Sequence, residues 1–168
     1  LLQSRGIIGF TDGIKTIQNT RLMSRIMNAS KDLGTLIMQH AEDYDLSKNG
    51  MINSGIIATK LGLLGIPSVA ERIIIERDLT LLENIKCRYH ISQVSAAKSV
   101  EIIQERKDYI KFTTGVSINN LSLNENDIGD FRTFLKLSPP LRTEEDRIAL
   151  VQGLKDETID VIVSDHKP

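Results

Sequence analysis

The sequence predicts an α/β fold of the (β/α)-barrel kind, and three observations predict it. Five short apolar runs recur along the 168 residues, helix-like stretches separate them, and each run ends in a small cluster of polar residues. Parallel strands in such a fold present their carboxyl ends on one common face, and that face is where barrels of this kind place their chemistry.

The elements follow in order. Ile7 to Phe10 forms a first strand that runs into Thr11-Asp12. Thr16 to Leu33 sets Leu22, Met23, Ile26, Met27 and Leu33 near helical spacing, with Gly34 where a helix would end. Thr35 to Met38 is the second strand, leading into Gln39-His40-Ala41-Glu42-Asp43. Residues 44–66, rich in Gly, Asn and Ser, read as a long excursion above a strand end, the usual place of a lid or binding loop. A helix opens near Pro67-Ser68 and runs to Ile85, with Ile75, Leu79 and Leu82 on one face. The third strand, Cys87 to Ser92, precedes a helix from Ala96 to Lys107 that turns Val100 and Ile103 inward. The fourth, Ile110 to Val116, leads into a second long connection, 117–142, holding Asn119-Asn120 and the rigid Pro139-Pro140. Thr143-Glu144-Glu145-Asp146 matches a capping box, whose hydroxyl and carboxylate satisfy free N–H groups at a helix start. That helix carries Ile148, Val151 and Leu154 inward and reaches the fifth strand, Val161 to Val163, which ends in Ser164-Asp165-His166.

Residues 1–168 read as one domain without an internal boundary. Both ends look truncated: the first residue is not Met, the last follows a strand end, and closing a barrel takes eight strands and about 250 residues. A complete five-stranded open sheet is the other architecture this length allows, at the cost of two exposed edges. A net charge of −1 and the absence of Trp argue against nucleic acid or an anionic membrane as partner. No apolar stretch approaches the roughly 20 residues needed to cross a bilayer. A single cysteine, Cys87, lies in an apolar run and reads as core, so a disulfide framework is excluded and a reducing cytoplasm is the default location.

Asp12, His40 and Asp165 each fall at or just past the carboxyl end of a different strand. Singly, each is explained by a helix cap or a hydrogen-bonded core histidine. Together they are the donor types that hold zinc, with an Asp able to act as base beside metal-bound water, and spacing alone leaves both readings open. Glu42-Asp43 are either partners orienting the His40 ring or solvated loop carboxylates. His166 can orient Asp165, donate to a substrate or cap; His90, inside its strand, is structural. Glu76-Arg77-Asp78 and Gln104-Glu105-Arg106-Lys107 read as solvated helix faces.

Five strings stand in one order: Gly9-Phe10-Thr11-Asp12-Gly13, His40-Ala41-Glu42-Asp43, residues 61–71 around Gly65-Ile66-Pro67, Ser138-Pro139-Pro140-Leu141-Arg142 with the residues up to Arg147, and residues 158–168 around Asp165-His166. Together they resemble the dihydroorotase branch of the amidohydrolase superfamily, of the bacterial class I type. The resemblance implies strands four to eight of a TIM-type barrel, with Asp12, His40 and Asp165 as zinc ligands and Asp165 also as the proton shuttle. It implies reversible cyclisation of N-carbamoyl-aspartate to dihydroorotate in pyrimidine biosynthesis, with a metal-activated hydroxide attacking the ring amide in the hydrolytic direction. Ser138 and His166 fall at substrate-contact positions. The departures are specific. Gln93 stands where the family has a metal-binding His, Ser138 where it has Asn, and Asn119-Asn120 where it has His-His; the family's strand-one His-x-His belongs to the barrel half that this segment does not include. The hydrolase is the leading reading; these losses support a second, a catalytically silent homologue acting as structural partner of aspartate transcarbamoylase, and the expected assembly is a homodimer or a complex with that enzyme. An allantoinase or hydantoinase is a third reading.

Overall fold

The computed structural model describes residues 6–166. Its main sheet contains five parallel strands in strict chain order: β1 (Gly9–Thr11), β2 (Leu36–Gln39), β5 (Arg88–Ile91), β6 (Thr113–Ser117) and β7 (Val161–Val163). A smaller parallel pair, β3 (Ile52–Asn53) and β4 (Gly65–Ile66), sits in the excursion after β2. The long helices α1 (Thr20–Leu33), α4 (Val69–Ile85), α5 (Ala97–Lys107) and α7 (Glu144–Lys155) pack in that series, each against the next. Sequential strands with no reversal of order are the winding of a (β/α) barrel; a doubly wound sheet reverses at a switch point. The described chain is a barrel segment with β1 and β7 at its edges.

The pleat separates two layers. Ile37 pairs with Tyr89, and Gln39 with Ile91, itself opposite Thr114; all are buried beneath the helices. Arg88 and Thr113, on the opposite face, are exposed. The helix side holds the main core, including Met23, Met27, Ile74, Leu79, Leu82, Ile103 and Cys87. Residues two apart in a strand therefore go to the same layer, and this period decides which strand-end side chains reach the barrel interior.

Helix ends follow the local sequence. The Asn19 side chain accepts from Leu22 N–H to start α1, and Gly34, at φ 65°, ends it. The capping box predicted at Thr143 forms with Asp146, whose other oxygen accepts from Ala97 N–H at 2.8 Å. One carboxylate thus caps α7 and also α5, whose own N-cap, Ala96, has no side chain able to accept.

Four expectations are corrected. Residues 44–66 are not irregular: they form α2 (Tyr44–Ser47), the β3–β4 pair and α3 (Ile56–Leu61) around a second small core of Ile52, Ala58, Ile128 and Leu141. Elements of two to six residues are too short to show a period in sequence. Segment 117–142 likewise contains α6 (Ile118–Ser122) and two 3₁₀ turns, Glu125–Ile128 and Thr133–Leu135. Ile148 faces solvent at 54 % exposure, and Leu150 and Gly153 face inward instead. A Cβ on Gly153 would meet Val100 at 3.0 Å, so α7 packs through a residue that hydrophobic spacing does not register. Finally, Asp78 is fully buried, not solvated. It accepts hydrogen bonds from Gln39 Nε2 (3.0 Å), Tyr89 Oη (2.7 Å) and Arg77 Nε (2.8 Å), pinning α4 to β2 and β5.

Candidate active site at the strand ends

His40 lies one residue beyond β2, in phase with Met38 and therefore on the interior layer, and is 2 % exposed. Its Nε2 is 3.2 Å from Ser138 Oγ, a contact across 98 residues, and 3.9 Å from Glu42 Oε2. Its Nδ1 is buried with no hydrogen-bond partner. The backbone beside it is strapped down: Thr16 Oγ1 donates to His40 O (2.7 Å) and accepts from Glu42 N–H (3.0 Å), and Gln18 Nε2 donates to Glu42 O (2.9 Å). Burial opposes the Glu42 charge. The neighbouring His40 and Ser47 side chains and the charge of Arg142 outweigh burial and hold the carboxyl below the usual range. An ionised Glu42 and the Ser138 hydroxyl favour the proton on Nε2, which leaves a lone pair on the buried Nδ1. That is the arrangement of a ligand nitrogen oriented by outer partners.

The other expected residues lie around the same rim. Asp12 is exposed just past β1 and lines a hollow with Phe10, Ile17, Met23, Ile26 and Gln39, on the side of the sheet that carries α1. The register explains this: Thr11 pairs with Met38, so Asp12 falls level with Gln39, whose side chain enters the helix layer. Asp165 is half-buried beyond β7, with its backbone in the left-handed region at φ 50°. Gln93 is half-buried past β5, and His166 is exposed. Among the described residues, no group of three or more His, Cys, Asp and Glu side chains is placed to hold a metal ion. The expected convergence of Asp12, His40 and Asp165 is thus not formed within this segment. His90 faces the interior with Nδ1 2.8 Å from Thr113 Oγ1; burial lowers its pKa, and the Asp160 charge opposes that shift.

Sequence reasoning missed a buried polar relay behind the rim. Glu71, at the start of α4, accepts hydrogen bonds from Ser95 Oγ, Ser95 N–H (3.0 Å) and Ala96 N–H (3.2 Å). Arg142 donates from Nε to Ser95 Oγ (3.1 Å) and from Nη1 to Asn53 Oδ1 (2.9 Å) and Ile66 O (2.6 Å). Burial lowers the Arg142 pKa, while Glu71, Asp146, Glu42 and Glu125 act to restore it. Both charged residues stand inside the strings that carry the family resemblance, but nothing in their spacing shows that they meet.

Parallel winding in chain order defines a (β/α)-barrel segment with a buried histidine at its strand ends, and comparison with known proteins supplies the family. The profile of the dihydro-orotase-like family matches residues 1–99. Dihydroorotase of Ehrlichia canis (strain Jake) is 44 % identical over 100 % of this chain and 38 % of its own length. Dihydroorotase of Anaplasma phagocytophilum is 39 % identical over 99 % of this chain and 38 % of its own. Among solved structures, D-hydantoinase from Bacillus sp. AR9 superposes with a TM-score of 0.81 at 22 % identity, covering 99 % of this chain and 39 % of that one. Dihydroorotase from Campylobacter jejuni gives 0.65 at 17 %, covering 97 % and 43 %. The chain belongs to the dihydro-orotase-like family, and it spans about 38 % of the length of the curated relatives it matches.

Proposed function

We propose that this chain forms one wall of the active site of a dihydroorotase-type cyclic-amide hydrolase acting in pyrimidine biosynthesis. The single observation that carries the reading is His40, buried at the barrel mouth with Nε2 directed to Ser138 and Glu42 and Nδ1 left without a protein partner. In the hydrolytic direction water adds to the ring amide carbonyl of dihydroorotate, the C–N bond breaks, and N-carbamoyl-aspartate is released. The Asp165 carboxylate takes the proton from the attacking water and returns it to the departing ring nitrogen. Ser138 and His166 line the substrate side. A divalent ion, zinc in this reading, would be held by His40 Nδ1 and Asp165, and when bound it would acidify water and polarise the carbonyl; Asp12, sent toward the helix layer by the β1–β2 register, stands outside this set. His40 fits that role by its orphaned nitrogen. The set is not complete on this segment, and the remaining donors belong to the rest of the barrel, whose strands would pair with the edges of β1 and β7.

Relatives at 37–44 % identity named dihydroorotase favour dihydroorotate over the hydantoins named for several structural neighbours. The second reading, a silent homologue acting as structural partner of aspartate transcarbamoylase, is favoured by Gln93, since an amide oxygen is a poor replacement for imidazole at zinc. A cytoplasmic location is part of either reading, in keeping with the single buried cysteine. The deciding experiment is metal analysis of the full-length protein together with N-carbamoyl-aspartate formation from dihydroorotate. Turnover that disappears in Asp165→Asn supports the enzyme; metal-free protein with no turnover supports the silent partner.

A further inference from the structure

Three loops, two of them carrying rim residues, meet at one buried point, and a single side chain joins them. Residues 92–96 carry Gln93, residues 138–142 carry Ser138, and the β3–β4 excursion meets Arg142 through Asn53 and Ile66. Arg142 touches all three through Ser95 Oγ, its own chain, and the Asn53 and Ile66 acceptors. Its side chain is 3 % exposed, and its countercharge, Glu71, is 2 % exposed. Glu125 extends the relay by accepting from Asn53 Nδ2 (2.6 Å).

We propose that Arg142 is a positioning residue: clamped by Glu71 through Ser95, it fixes the loop that holds Ser138 Oγ against His40 Nε2, and so sets the orientation of the His40 ring. A guanidinium suits this task because its planar fork reaches separate acceptors at once, whereas an ammonium is a single point. Removing either partner leaves a buried charge uncompensated, so the three loops are held as a unit. Ser138 is only four residues from Arg142, and the two intervening prolines stiffen the link.

The activity part of the test rests on the hydrolase reading; the spectroscopic part does not. In the full-length protein, Arg142→Lys lowers kcat roughly ten- to a hundred-fold with little change in KM, the scale expected when a reacting group is misplaced by about 1 Å. Because Arg142 acts through Ser138, the same substitution adds nothing in a Ser138→Ala background. Ser95→Ala, which removes the joint without adding or deleting a charge, shows the same pattern in milder form. Independently of turnover, the ring signals of His40 in nitrogen-edited NMR shift in Arg142→Lys and in Ser138→Ala to the same position. Additive losses in the double variant, or His40 signals that stay at their parental position in well-folded Arg142→Lys and Ser95→Ala proteins, overturn the proposal. A full-length protein without any cyclic-amide hydrolysis defeats the hydrolase reading alone, and the His40 signals then decide the positioning role.

Discussion

Replacing Asp78 by alanine removes the one acceptor shared by Gln39, Tyr89 and Arg77 beneath the sheet. The Arg77 side chain is 13 % exposed and can turn to water, but Gln39 (3 %) and Tyr89 (2 %) cannot. Two buried donors lose their partner at about 1–3 kcal/mol each, less what is regained by no longer burying a carboxylate, for a net loss of about 3 kcal/mol. Asp78→Asn keeps an oxygen acceptor and costs about 1 kcal/mol. The pH dependence sharpens the test. Burial holds the Asp78 carboxyl above its ordinary value, against the Arg77 charge and the hydrogen bonds of Tyr89, Arg77 and Gln39. A raised folded pKa means the folded state binds the proton more tightly than the unfolded chain, so this stability is complete below the unfolded value of 3.8 and is lost as pH rises through the raised value. Asparagine does not titrate. Urea unfolding of the full-length protein, followed by circular dichroism from mildly acid to neutral pH, should show the Asp78→Asn deficit narrowing as pH rises. A deficit that widens with pH would refute the assignment of burial as the dominant influence on Asp78.

Other perturbations probe different links. Gly115→Ala places a Cβ 2.4 Å from Ser92 O and 3.3 Å from His90 Nε2, so β6 must move from β5; a loss of about 1–3 kcal/mol is expected in the same unfolding assay. Asp146→Ala uncaps α7 and α5 together and should cost about twice the ~1 kcal/mol of Thr143→Ala, which removes a cap from α7 alone; equal losses would show that the bond to Ala97 is energetically idle. His40→Ala in the full-length protein should lower the bound divalent metal measured after dialysis, while His90→Ala, whose ring is paired with Thr113, should leave it unchanged.

The sequence by itself determined the alternation of strands and helices, the parallel winding, the capping box and the presence of His40 at a strand end. These depend on local periods of 2.0 and 3.6 residues and on residue types at fixed offsets, which a linear chain displays. Only the tertiary structure decided the rest. Asp78 reads as a surface charge until Gln39 and Tyr89 are seen to surround it, and Ile148 reads as core until Gly153 is seen against Val100. The excursion after β2 owes its order to Leu141 and Ile128, contributed from much later in the chain. The rim shows the same division: strand ends announce Asp12 and His40, but the pleat register sends Asp12 toward the helix layer and His40 toward the interior. Contacts between residues far apart in the chain depend on loop closure and register, quantities that no local window contains. Glu71, Ser95 and Arg142 therefore meet without any signal in their own neighbourhoods.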